Sequence, residues 1–321
     1  MSDFASAAMI RVLARGMREL GLEPGPAATH GADARVDLCQ KRQLVQAAVQ
    51  QGGLRCLPLL GRGLHALAHE PTHQALASAR DATDLFARWR RLERYIHSQH
   101  RCVVEAGAPG RTALRHISLG GGAKPSSAED LVVLGVLAAL LEAIGLQQVR
   151  AWTGGAMAYP EPDAGGIGQA ARSGSTAVWE IRWEGAALRP EGPSAPQSCP
   201  EALGADTAWP DAARAAYTRL VRDLTRPMAL HDLAAEMGVT GRTLQRKLWQ
   251  AGLSYSNLLA EARCRSGAWR LIHTADPIAE IGFLSGFADQ PHFTREMQRR
   301  VGMPPAAYRQ AFAAGVGVLP G

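Results

Sequence analysis

A chain of 321 residues is too long for one ordinary domain, and its 46% hydrophobic content is ample for two cores. The net charge of +6 is lopsided: from Tyr217 onward there are 13 Lys/Arg against 8 Asp/Glu, whereas the residues before it hold 22 against 21. Five scattered cysteines (Cys39, Cys56, Cys102, Cys199, Cys264) with no C-x-x-C exclude a disulfide framework and a zinc ribbon, and fit a reducing cytoplasm.

In chain order, MSDFASAAMIRVLARGMRELG mixes Arg and Glu into its apolar residues and predicts an amphipathic helix, not a signal peptide. Apolar spacing predicts helices near Ala7–Leu20, Lys41–Gln51, Leu57–Ala68 and Ala82–His97. Arg101–Glu105 and Thr112–Leu119 predict two strands joined by the turn-rich GAPG. Ser126-Ser127-Ala128-Glu129 is a capping-box pattern, opening an apolar helix that runs to about Ile144 and is buried on most sides. The apolar run Leu131–Leu146 is interrupted by Glu142 and falls short of the ~20 residues a membrane span requires. Strands follow at Gln148–Trp152 and Thr176–Trp183. Helices first, then strands around a buried helix, predict an α+β domain over residues 1–184. Residues 185–210 are rich in Pro and Gly without an apolar period, which predicts a semi-extended linker. Residues 211–314 then form an all-α domain, opening with a helix at Asp211–Leu224 behind Pro210.

That second domain contains one pattern twice: LHDLAAEMGVTGRTLQRKLWQAG from Leu230, and PIAEIGFLSGFADQPHFTREMQRRVG from Pro277. Each places a small residue four positions before a Gly (Ala234 and Gly238, Gly282 and Gly286). Each then has a polar helix start, and a final Gly (Gly252, Gly302). Closely touching helices joined by a turn that admits positive φ are what a helix-turn-helix requires, and two copies about fifty residues apart sharpen the signal. With ~100° per residue, Leu244 and Leu248 share the core face of the first reading helix while Arg242, Arg246 and Trp249 point away, with Gln245 on the flank. In the second, Phe293, Met297 and Val301 form the core stripe. Arg295, Gln298 and Arg299 point outward, and His292 and Thr294 lie at the edges. Arg can bond guanine bidentately and Gln can bond adenine, so both outer faces are suited to the major groove of double-stranded DNA. Thr240 and Asp289 are the predicted N-caps, and Pro291 sits in a first turn where its missing N–H costs nothing. The helical segment Glu261–Thr274 joins the two devices. The surplus of positive charge falls in this same segment, as expected of a nucleic-acid-binding module beside a neutral one.

From about Asp211 to Phe312 the chain resembles the DNA-binding domain of the AraC/XylS family of bacterial transcription regulators. The resemblance rests on Arg263, Ala268 and Ile272 in the linking helix and on DPIAEIGFLSGFADQPHFTREMQRRVGMPPAAYR. It implies base or phosphate contacts at Arg242, Gln245 and Arg246, and at Gln290, Pro291, His292, Thr294 and Arg295; the outward face adds Arg299. The sequence departs from the family pattern at Gly282, usually Ala, and at Met297, usually aromatic. More loosely, the first helix, Ala75–Tyr95 and the later order of hairpin, helix and strand resemble the arabinose-binding-type sensor half of one branch of the family. This implies a regulatory, dimerising domain without implying arabinose as its ligand.

Other clusters carry less. His65, His69, Glu70 and His73 contain an i, i+4 pair, but Pro71 predicts a helix end that leaves His73 on a turn, and no third metal ligand has a defined spacing. Gly120-Gly121-Gly122-Ala123-Lys124-Pro125-Ser126 lacks the Walker spacing, and Ser173-Gly174-Ser175 is no nucleophile elbow. Trp89, Arg90, Arg94, Tyr95, Trp152, Trp179 and Trp183 are candidates for a sensor pocket or for a structural core. The sequence therefore predicts a cytoplasmic, non-enzymatic regulator of transcription, without catalytic residues, metal or other cofactor. Its expected partners are promoter DNA, RNA polymerase, a second copy bound through the first domain, and a small-molecule effector whose binding residues are unassigned. Activation is expected in preference to repression, and no membrane is involved. The rival readings are a non-sensing dimeric DNA-binding protein and an enzyme domain fused to a DNA-targeting module.

Overall fold

The computed structural model describes residues 4–25, 35–67, 70–96, 100–119, 123–185, 205, 209–226 and 228–313. Among them, residues 4–25, 35–66 and 76–185 form one compact unit. Residues 67, 70–75 and those from 205 onward form another.

The first unit begins with a short antiparallel pair, β1 (Phe4–Ser6) with β2 (Arg35–Asp37), each strand running directly into a helix. These are α1 (Ala7–Glu19) and α2 (Leu38–Gly52). Ser6 caps the first by accepting from the Met9 amide, and Asp37 caps the second by accepting from the Cys39 amide. The predicted α-helix near Leu57–Ala68 is instead a 3-10 segment, Leu54–Leu67. Two physical causes act together. Pro58 has no N–H to give to an α-helical ladder, and Gly61 and its neighbours lie directly on other backbones. A Cβ on Gly61 would sit 2.4 Å from the Gly135 carbonyl oxygen, and one on Gly135 would sit 1.9 Å from that of Pro58. α3 (Pro71–Ala77) follows in the chain, its residues 71–75 belonging to the other unit. Pro71 opens this helix instead of ending its predecessor, so His73 lies within a helix and not on a turn, as expected of Pro at a first helical position. α4 (Ala82–Ile96) completes the helical half.

An antiparallel sheet of order β3-β4-β7-β5-β6 fills the rest, from β3 (His100–Ala108), β4 (Arg111–Ser118), β5 (Gln147–Thr153), β6 (Ala156–Tyr159) and β7 (Val178–Glu184). The predicted hairpin is present, with a bulge between Val104 and Ala106. α5 (Ser127–Ala143) has the predicted capping box: Ser126 Oγ accepts from the Glu129 amide while the Glu129 carboxylate accepts from the Ser126 amide. Residues Glu129 to Leu141 of α5 are all buried, which is why its sequence is apolar on every side. β6 and α6 (Ala164–Ser173) were not expected from the sequence.

The second unit is all helical: α7 (Asp211–Leu220), α8 (Leu230–Glu236), α9 (Gly241–Gln250), α10 (Tyr255–His273), α11 (Ile278–Leu284), α12 (Gln290–Val301) and α13 (Pro305–Phe312). Tyr217, Leu220, Leu233, Leu244, Leu248, Leu258 and Ala262 form the core around α8 and α9. Phe293, Met297, Tyr308 and Phe312 are fully buried around α12 and α13. Inside α10, Arg265 is 2% exposed. Its guanidinium lies 5.1 Å from the ring centres of both Trp209 and Tyr217, and its Nε donates to Glu261 at 2.8 Å. Glu261 also receives Arg300 of α12 at 3.3 Å, so one carboxylate pins α10 to α12. The segment Leu67–Ala75, which the sequence places in the first domain, counts with this unit: the Tyr308 hydroxyl donates to the Pro71 carbonyl at 2.6 Å.

Candidate nucleic-acid interface

Each helix-turn-helix is assembled by the local signals that mark it in the sequence. Gly238 (φ 68°) ends α8 and Gly286 (φ 81°) ends α11, both in the left-handed region that favours glycine. α9 is capped by Thr240, whose Oγ1 accepts from the Thr243 amide at 3.2 Å. α12 is capped by Asp289, whose carboxylate accepts from the His292 amide at 2.6 Å. α10 joins the two as one uninterrupted helix of 19 residues, about 28 Å at 1.5 Å per residue.

On α9, Leu244 and Leu248 are buried while Arg242, Gln245, Arg246 and Trp249 are exposed, Trp249 at 79%. No hydrogen bond or ion pair engages Arg242, Gln245 or Arg246 among the described residues. On α12, Phe293, Met297 and Val301 face the core while Gln290, Pro291 and Arg295 are exposed and His292 and Thr294 are half-buried. The His292 ring packs edge-on against Phe287, 5.3 Å between centres, so it is held in place by the core of its own motif. Arg295 is unengaged among the described residues. Arg299 is not: its Nη2 and Nε meet the Glu296 carboxylate at 2.7 and 3.1 Å. Arg300 completes the set on the same carboxylate at 2.9 Å. The bonds from Arg299, with those from Arg300, hold Glu296 down at about 2 despite partial burial. Spacings of three and four to Glu296 were the available signal that these arginines partner within the helix.

The remaining candidates disperse. His65 pairs with Glu142 at 3.1 Å, the His73 ring lies 3.1 Å from the Leu67 carbonyl, and His69 lies outside the described residues. Gly120–Gly122 and Cys199 also lie outside them, as do most of the expected linker and the side chains of Arg94 and Tyr95. Cys39, Cys56, Cys102 and Cys264 are free thiols. Trp179 is buried against His116, and Trp152 carries Arg182 over its ring at 5.0 Å. Trp89, Arg90 and Trp183 instead line one groove.

Sequence reasoning missed a buried polar cluster in the first unit. His116 Nδ1 and Thr176 Oγ1 both meet the Asp130 carboxylate, at 2.8 and 2.7 Å. Glu93 accepts from Trp89 Nε1 at 2.7 Å and from the Cys102 amide at 3.1 Å, yet burial pushes its carboxyl up to about 7. Burial also pulls the Lys41 ammonium down. Lys41, Glu93, His100 and His116 border a cavity of about 30 Å³. No signal in the sequence marks the cluster, because its members come from α2, α4, β3, β4 and α5.

Two exposed arginine-bearing helices, each preceded by a short helix and a glycine turn, define a tandem helix-turn-helix DNA-binding domain. Residues 233–311 match the family model described as a helix-turn-helix domain. The chain is 29% identical to the ornithine utilization regulator of Pseudomonas aeruginosa, over 65% of this chain and 64% of that protein. It is 29% identical to the HTH-type transcriptional activator RhaR of Klebsiella pneumoniae and 28% identical to the HTH-type transcriptional activator FapR of Escherichia coli. Each of these matches covers 28% of this chain, and 33% and 35% of the relative. The chain thus spans just under two thirds of the first relative and about a third of the other two. The matched residues lie within the C-terminal helical unit. No helix among the described residues is long and apolar enough to cross a membrane.

Proposed function

We propose that the protein is a sequence-specific, AraC-type regulator of transcription that binds promoter DNA through α9 and α12. The observation that carries this reading is the pair of outer faces whose arginines, Arg242 and Arg246 on one helix and Arg295 on the other, have no partner among the described residues. Gln245, Gln290, Pro291, His292 and Thr294 flank them and complete the reading surface, with Arg299 at its far end. The names of RhaR and FapR as activators support activation, and with it a contact to RNA polymerase. The first unit is the sensing and dimerising part, and the chain acts in the cytoplasm.

The test starts from DNA selected from a random pool by the full chain. Arg246→Ala and Arg295→Ala each weaken binding to the selected site by about 1–3 kcal/mol, read by fluorescence anisotropy, and relax preference at separate positions. Unchanged affinity and footprint in both variants would place the reading surface elsewhere.

A further inference from the structure

The helical and sheet layers of the first unit part at one end. There a groove of about 820 Å³ opens between α4 and the tip of the β3–β4 hairpin, within the size range of small-molecule sites. One wall is a helical stripe of α4: Thr83, Phe86, Ala87 and Arg90, with Trp89 beside it. The other wall is the inward face of the sheet, Cys102, Val104, Thr112, Leu114 and Trp183. The bulge between Val104 and Ala106 shifts the register of β3, so that Gly107, opposite Thr112, lines the groove in the place that strict alternation would give to Ala106. The rim is fixed where the Trp183 amide donates to the Gly110 carbonyl at 2.9 Å.

The charges of this lining are one-sided. Arg80, Arg90 and Arg111 border the groove, against a single lining acid among the described residues, Asp81. Asp81 is already occupied, its carboxylate accepting from the Asp84 amide at 2.8 Å in the first turn of α4. Arg80 leans to Asp84 at 3.6 Å, while Arg90 and Arg111 make no ion pair among the described residues. An apolar slot with Trp89, Trp183 and Phe86 in its walls and the guanidinium groups of Arg90 and Arg111, neither in an ion pair among the described residues, at its edge matches one chemistry. That is an organic anion with a ring-sized or aliphatic body and a carboxylate head that arginine can hold through two parallel hydrogen bonds.

We propose that this groove is the effector site of the first unit and that its ligand class is an apolar monocarboxylate. The effector role rests on the regulator reading above; binding itself does not. The full chain is titrated calorimetrically with 2-naphthoate and with neutral 2-naphthamide. The carboxylate binds saturably at one site per chain, at least about ten-fold tighter than the amide. Arg90→Ala costs the carboxylate about ten-fold and leaves the amide unchanged. Ala87→Trp, which fills the slot from an exposed helix position, abolishes binding of both, whereas Arg150→Ala on β5 alters neither. Urea unfolding midpoints show that each variant is folded. The assignment is overturned by equal affinity for acid and amide, by binding that survives Ala87→Trp, or by no saturable binding at millimolar 2-naphthoate. It is also overturned if the groove holds a second copy, seen as a dimer mass that falls to monomer in Ala87→Trp. DNA selection by the same preparation, run both with and without 2-naphthoate, separates the two readings. Binding without selection leaves the groove standing and removes the regulator, and selection without binding does the reverse.

Discussion

The Glu93 carboxyl, 4% exposed and pushed up to about 7, makes the stability of the first unit depend on pH in a definite direction. Its folded value lies above the ordinary 4.5, so the folded state holds a proton that the unfolded chain gives up. The associated stability is fully present below the unfolded value and is lost as pH rises through the folded one. Glu93→Gln keeps the shape and an acceptor for Trp89 while removing the titration. The variant therefore gains on the wild type by about 2–3 kcal/mol between pH 5 and pH 8, read as the change in their difference in urea unfolding free energy. A constant difference across that range would mean that Glu93 is not neutral in the folded chain. On the proposed DNA face, residues of the same type separate by their partners. Arg299 is held by Glu296 whereas Arg295 is unengaged, so Arg299→Ala costs less than about 1 kcal/mol of affinity for the selected site, against about 1–3 kcal/mol for Arg295→Ala. Equal losses would show that Arg299 leaves Glu296 on DNA.

At the scale of elements, the second helix-turn-helix turns on the space around one ring. Phe293 of α12 is fully buried, and a Cβ on Gly267 of α10 would come within 2.6 Å of its Cε2. A Cβ on Gly282 of α11 would come only to 3.2 Å from its Cδ1. Gly267→Ala therefore overpacks the motif and destabilises the chain by about 1–3 kcal/mol. Gly282→Ala gains up to about 1 kcal/mol of helix propensity against a mild contact, and its net effect on the unfolding midpoint is small. Comparable losses in both would contradict this account of the socket. These elements were legible because their signals are local: Thr240 and Asp289 cap, Gly238 and Gly286 turn, and the apolar spacing of Leu244 and Leu248 needs no partner to be recognised. The 3-10 segment was only half legible: Pro58 stands in the sequence, but the packing of Gly61 on Gly135 joins residues far apart in it. α3 was misread for a different reason: a proline can end one helix or open the next, and the sequence around Pro71 does not choose. Arg299 was read as outward without its partner, although Glu296 stood three residues away.

At the scale of the whole molecule, the least legible features are those assembled from distant segments: the groove, the Glu93 cluster, and the allegiance of Leu67–Ala75. Apolar period and composition assign that last segment to the first domain, whereas its buried Glu70 and His73 and the Pro71 carbonyl count with the second unit. Glu70 bears electrostatically on Arg265, the buried cation of α10, so the segment contributes charge as well as a hydrogen bond. The helical domain is then completed by a strap that precedes it by well over a hundred residues. Tyr308→Phe tests this directly, because it deletes only the hydroxyl that donates to Pro71. In the full chain the variant leaves the Pro71 carbonyl without that donor and costs about 1–2 kcal/mol in the unfolding of the helical domain. In a chain restricted to residues 205–321 the strap is gone, and the same substitution changes stability by no more than about 0.5 kcal/mol. The coupling is the difference between the two measurements. If the substitution costs the same in both chains, Tyr308 stabilises the domain through its own neighbours and the strap is not part of its core.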